Sequence, residues 1–219
     1  MNRFNMVLSM YNSDQSPPCR ACQMVLAYLK LPVKYIAVDT LKKDHLTEEY
    51  LKMNPQHTIP MLVDDDFILW DSHAIASYLV TKYGKDNPLY PSDPKKRAVI
   101  DQRLHFDSGI LFPALRGAFE PIIYFGEKKP RPEVLEKISS AYDFMEKFLT
   151  KAWIAGDELS LADLCCVASM SSLNVVMPID TKKYPNITAW MKRCSELDVY
   201  KKSNVPGLTA FKTLYESKL

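Results

Sequence analysis

Apolar and polar positions along this chain follow two different periods. Residues 5–11 (NMVLSMY) are a short apolar run followed by polar breakers, the pattern of a buried strand. The run CRACQMVLAYLK then sets apolar side chains at 22, 25, 26 and 29, the spacing of one helix face. Ser16-Pro17-Pro18 opens that helix: serine suits an N-cap, and proline suits a first turn where its missing N–H costs nothing. Residues 33–38 alternate and predict a second strand. Residues 46–53 predict a short polar helix, ended by Asn54-Pro55. A third strand is expected at 59–63, entered through Pro60, then a hairpin turn at the three aspartates 64–66 and a fourth strand at Phe67–Trp70. Asp71-Ser72 caps a helix running to about Tyr83, and Gly84 stops it. The order is β-α-β-α-β-β-α.

Residues 84–94 (GKDNPLYPSDP) hold three prolines and a glycine and predict a linker. Beyond it the period becomes helical throughout, with helices expected at about 95–118, 119–126, 132–151, 160–175, 185–195 and 208–217. Ser160 and Asp163 have the spacing of a capping box ahead of an apolar run. The expected fold class is therefore α/β plus all-α. An α/β domain spans 1–83, a linker 84–94 and an all-helical domain 95–219.

Composition narrows the function classes. The 219 residues are 47% hydrophobic and 25% charged, ordinary for a soluble globular protein. A formal net charge of +2 with only short lysine runs gives no basic stripe, so no nucleic-acid partner is expected. The six glycines begin at Gly84 and cannot form a dinucleotide-binding or P-loop motif. Five cysteines at irregular spacing, two of them adjacent, suit no disulfide framework, and the histidines 45, 57, 73 and 105 form no zinc pattern; no metal is expected. No run of 18 apolar residues suggests a membrane span, and the first residues lack a secretory apolar region. A reduced, cytoplasmic protein is the expectation.

Three constellations carry chemistry. At Ser16 a strand gives way to a helix start, where free N–H groups and the helix dipole favour an anion. A serine hydroxyl with no base beside it is a poor nucleophile, but a good hydrogen-bond donor to a thiolate brought by a ligand. A free thiol with a pKa near 8.5 is only a few per cent ionised at neutral pH, so lowering it by roughly two units makes it mostly thiolate. Ser16 could equally be a plain N-cap. In Asn54-Pro55-Gln56-His57-Thr58-Ile59-Pro60, a proline entering a strand is a candidate cis site that would free the Ile59 backbone to pair with a peptide, or else an ordinary edge-strand proline. Asp71-Ser72-His73 would suit an α-amino-acid head group, or simply cap a helix. His45 and His57 could each meet a second carboxylate. A hydroxyl for a thiol, a main-chain clamp and an amino-acid clamp together match the three parts of glutathione. Cys19 and Cys22 allow a thiol–disulfide reading, although at i, i+3 in a helix they are more often structural.

SPPCRA (16–21), NPQHTIP (54–60), DSHAI (71–75), LVTKYGKDNPLYP (79–91), HFDSGILF (105–112) and SLADL (160–164) together resemble the cytosolic glutathione transferases of the insect delta/epsilon type, most closely the epsilon class. That resemblance implies a thioredoxin-like first domain and a helical second one. It implies that Ser16 stabilises the glutathione thiolate, and that His45 and His57 hold the glycine end. Thr58, Ile59 and cis-Pro60 would form the main-chain clamp, Asp71 and Ser72 would hold the γ-glutamyl group, and His73 and Arg116 would line the cleft. The family usually carries glutamate where Asp71 stands. Leu115, Phe119, Ile123 and Tyr124, following Phe112 at helical spacing, with Tyr11 opposite, would form the hydrophobic electrophile pocket between the domains. The implied activity is conjugation of glutathione, as co-substrate, to hydrophobic electrophiles, with peroxidase or dehydrohalogenase side activity, in a homodimer. A carrier that binds hydrophobic ligands such as steroids or insecticides without turnover is the alternative.

Overall fold

A computed structural model of the chain describes residues 8–219. The first strand, β1 (Leu8–Asn12), and the second, β2 (Val33–Ala37), run parallel and are joined by helix α1 (Pro17–Tyr28). Parallel strands require such a crossover. A 3₁₀ turn (Asp44–Leu46) and the short helix α2 (Glu48–Met53) lead to the antiparallel pair β3 (Met61–Asp64) and β4 (Phe67–Trp70), followed by α3 (Ser72–Tyr83). The sheet order is β2-β1-β3-β4. The expected element order is thus present, with residues 5–7 of the first predicted strand lying outside the described residues. The third strand starts two residues later than expected, at Met61. Asp64 belongs to β3 instead of the turn and is buried.

Alternation along β1 divides the half-molecule. Leu8 and Met10 pack with Met24, Leu26, Leu62, Ile75 and Leu79, toward α1 and α3. Tyr11 faces the other way, into a small cluster of Val38, Tyr50 and Met61 beside α2. The first cluster continues without interruption into the helical half, through Leu104, Leu115, Tyr142, Leu164 and Trp190.

That half comprises α4 (Pro94–Phe106), α5 (Phe112–Phe125), α6 (Pro132–Phe148), α7 (Leu161–Val176), α8 (Pro185–Glu196) and α9 (Val205–Glu216). The expected break near 118 is absent. A π turn at Asp107–Leu111 separates α4 from α5 instead. Pro113 has no N–H for the carbonyl four residues back, at Gly109, and wider i→i+5 pairing absorbs the mismatch. Pro121 sits inside α5, and a second π turn (Tyr200–Asn204) precedes α9. The capping box of Ser160 and Asp163 forms as expected. Asp163 is buried, and its carboxylate accepts from Ser160 N and Oγ, Ile154 N and Trp190 Nε1 at 2.7–2.9 Å.

Candidate functional site

Ser16 stands at the N-cap of α1, with φ −75° and ψ 120°, and its side chain makes no capping hydrogen bond. The loop before it is braced: Ser16 N donates to Ser13 O at 3.0 Å, and Asp14 Oδ1 accepts from Asn12 Nδ2 and Gln23 Nε2 at 2.8 and 2.7 Å. One turn on, Cys19 is fully buried. Burial pushes its thiol up to about 11, against smaller opposing hydrogen bonds from the Ser13 backbone and the Ser16 side chain. Burial also holds the Cys22 thiol well above its usual range. Both thiols are protonated at neutral pH, so neither has the exposed thiolate that thiol–disulfide exchange requires.

The turn before β3 is shaped by Asn54, which is fully buried. Its Oδ1 accepts from Gln56 N at 3.0 Å and its Nδ2 donates to Thr58 O at 2.9 Å, while its carbonyl receives His57 N. Tyr50 Oη adds a second donor to Thr58 O, at 2.7 Å. The Ile59–Pro60 peptide is cis. Trp70 Nε1 reaches Gln56 Oε1 at 2.6 Å, tying β4 to the turn. His57, at φ 46°, sits with its ring 6.1 Å from that of His45. Burial lowers the His45 pKa, and the His57 charge lowers it further; His45 Nδ1 is buried without a partner among the described residues.

Asp71 adopts φ 72° and ψ 117°, a conformation costly for a residue with a Cβ. Its Oδ1 accepts from His73 N and Ala74 N at 2.9 and 3.1 Å, capping α3. The short side chain folds back on its own helix through Oδ1. Ser72 follows as the first residue of α3. His73 Nε2 meets Asp107 Oδ2 at 2.9 Å, with the two side chains 15% and 6% exposed. Burial pulls this imidazole down, but the Asp107 hydrogen bond and charge, helped by Asp71, outweigh it, and the net shift is upward. Asp71, His73, Ser77, Asp101, His105 and Ser108 border a cleft of about 280 Å³.

The residues expected to line an apolar pocket differ in their surroundings. Leu115 is fully buried and Ile123 nearly so, and both positions are spent on the interior. Phe112 and Phe119 pack against the main core, Phe119 lying edge-on to Phe211 of α9 at 5.7 Å. Tyr11 does not face them. Its position on β1 turns it to the α2 side, edge-on to Tyr50 at 5.6 Å, where it lines a separate cleft of about 260 Å³. Arg116 points outward and pairs with Glu120 one turn along α5, at 2.6 Å. Tyr124 does reach the first half of the chain: its hydroxyl lies 2.9 Å from Thr40 Oγ1. Asn54 belongs to the turn motif already singled out, without the buried bracing part it plays here. Tyr50, Trp70 and Asp107 brace this region and were missed, although Asp107 lies within the HFDSGILF motif.

Family models match both halves of the chain. The model for the glutathione S-transferase N-terminal domain matches residues 10–88, and that for the C-terminal domain matches 99–198. The chain is 61% identical to glutathione S-transferase 1 of Manduca sexta over 98% of its own length and all of that protein. Glutathione transferase E6 of Drosophila melanogaster superposes with a TM-score of 0.93 at 43% identity, covering 96% of this chain and 97% of that one. An epsilon-class glutathione S-transferase from the housefly, Musca domestica, gives the same score and identity, covering 96% and 98%. With both halves matched by family models and one relative aligned across nearly all of both chains, the protein belongs to the glutathione S-transferase family.

Proposed function

We propose that Ser16 donates a hydrogen bond to the sulfur of bound glutathione and holds it as the thiolate, which then attacks a hydrophobic electrophile. The observation that carries this is the position of Ser16 at the dipole-positive end of a 12-residue helix with its hydroxyl not spent on capping. The thiol proton leaves to solvent. The sulfur forms a bond to the electrophilic carbon; with an aryl halide the carbon–halogen bond breaks and the halogen departs as halide with the bonding electron pair. Ile59, ahead of cis-Pro60 and beside Thr58, offers its backbone to the cysteinyl unit. His45 and His57 receive the glycine carboxylate, and Asp71 Oδ2 with Ser72 receives the γ-glutamyl group beside His73. Phe112, Phe119 and Tyr124 supply the apolar side. Arg116 contributes only if it leaves Glu120. A division at 1–83, 84–94 and 95–219, a homodimer and a cytoplasmic location complete the reading. The relatives named above are transferases, which gives a non-catalytic carrier no support.

The test is Ser16→Ala. Turnover with glutathione and a dinitro-substituted aryl chloride is expected to fall roughly 10- to 100-fold, the worth of one hydrogen bond to a charged group. The acid limb of kcat/KM should move up by about one to two pH units. Unchanged turnover and an unmoved limb would remove Ser16 from this role.

A further inference from the structure

Arg20, one turn into α1 beyond Ser16, is completely buried, and no acidic side chain pairs with it among the described residues. Its guanidinium donates instead to Asn204 Oδ1, to Ser172 Oγ and, at 3.5 Å, to the carbonyl of Ala168. All three acceptors belong to the helical half. Asn204 is itself buried and donates to Ser171 Oγ at 3.1 Å. Burial lowers the Arg20 pKa to about 10, which leaves the side chain cationic at neutral pH. A neutral, fully buried cradle around a cation is costly unless its geometry is fixed.

A second contact bears on the same loop from the other side. Gly207, in the first turn of α9, is buried against the chain that leads to Ser16. A Cβ built on it would stand 2.0 Å from Asp14 O and 2.7 Å from Arg20 Cδ. The first neighbour is backbone, so a side chain there must push the Ser13–Ser16 loop away. The loop is already cross-braced to Asn12 and Gln23 and has little freedom to yield.

We infer that residues 200–207, through the Arg20–Asn204 contact and the close approach of Gly207 to Asp14, position the Ser16 hydroxyl against the glutathione sulfur. Gly207 and Asn204 touch no reacting atom; they are positioning residues for one that does. The inference rests on the role assigned to Ser16 above.

Gly207→Ala tests it, made alone and in the Ser16→Ala background. Expected is a 10- to 100-fold fall in kcat with the aryl chloride, as for a catalytic group displaced by about an ångström. KM for glutathione should stay within about threefold, since the peptide clamps are untouched. The acid limb of kcat/KM should move upward, the far-ultraviolet circular dichroism should be unchanged, and the substitution should cost nothing further once Ser16 is alanine. An unmoved acid limb and kcat in a folded Gly207→Ala, while Ser16→Ala loses activity, overturns the inference and leaves the Ser16 reading standing. An equal loss in both backgrounds also overturns it, because the effect then bypasses Ser16. If Gly207→Ala does not fold, Asn204→Ser carries the same measurements. If Ser16→Ala itself keeps full turnover, the parent reading falls and takes this inference with it.

Discussion

His73, mostly buried, and Asp107, buried, form a short polar contact linking the start of α3 to the π turn after α4. Because the folded state raises the His73 pKa above its ordinary 6.5, the native protein binds the proton more tightly than the unfolded chain. The resulting stability is fully present below pH 6.5 and is lost as the pH rises through the raised folded value. Comparing the protein with His73→Gln by urea unfolding over roughly pH 5.5 to 8.5 should therefore give a stability difference that is largest at the acid end and shrinks toward the alkaline end. A difference that grows with pH would sink this assignment. His45 has the opposite shift, but it is present in both proteins and cancels. The chain shows Ser16 and His73 as chemistry through their neighbours in the string. It cannot show Asp107 as a partner, since 34 residues separate the pair and only tertiary packing, with α3 and the π turn both set against α7, brings them together.

Among the elements, strands and helices followed from period and punctuation, and what local pattern missed was long-range bonding. Asp64 is the clearest example. Three consecutive aspartates look like a solvated turn, yet the first ends β3 and accepts from Tyr78 Oη, Tyr83 Oη and Lys82 Nζ at 2.6–2.7 Å. Two tyrosines and a lysine on α3 thus anchor that helix to the β3–β4 hairpin. Asp64→Asn should cost about 1.5–3 kcal/mol, the range for hydrogen bonds to a charged group. The half-exposed Lys82 contributes the smaller share, because water screens it. At roughly 2–4 °C per kcal/mol for a chain of this size, Tm should drop by about 3–12 °C. A drop within experimental error would mean that the tyrosines, not the carboxylate, hold the hairpin. The helix boundary misplaced to 118 has a comparable origin. Apolar spacing runs smoothly through 95–118, and the interruption lies in backbone pairing around Gly109 and Pro113, which a side-chain pattern does not record.

At the scale of the molecule, the Pro-rich stretch expected as a linker is bonded into the rest of the fold. Leu89 is fully buried, and its carbonyl accepts from Leu161 N at 2.7 Å. Arg97 binds the carbonyls of Pro91 and Tyr90 and stacks 4.3 Å over the Tyr90 ring. With one apolar cluster running through both halves, unfolding is expected as a single transition, in which tryptophan fluorescence from Trp70, Trp153 and Trp190 coincides with helical circular dichroism. Two resolved transitions would show that the halves melt independently. Composition marked this stretch as a change of texture, but burial of one leucine within it depends on residues far along the chain. A protease that nicks the exposed positions around Lys85 and Asp86 would therefore leave two fragments still clasped together, so severing the peptide there would not by itself release either piece.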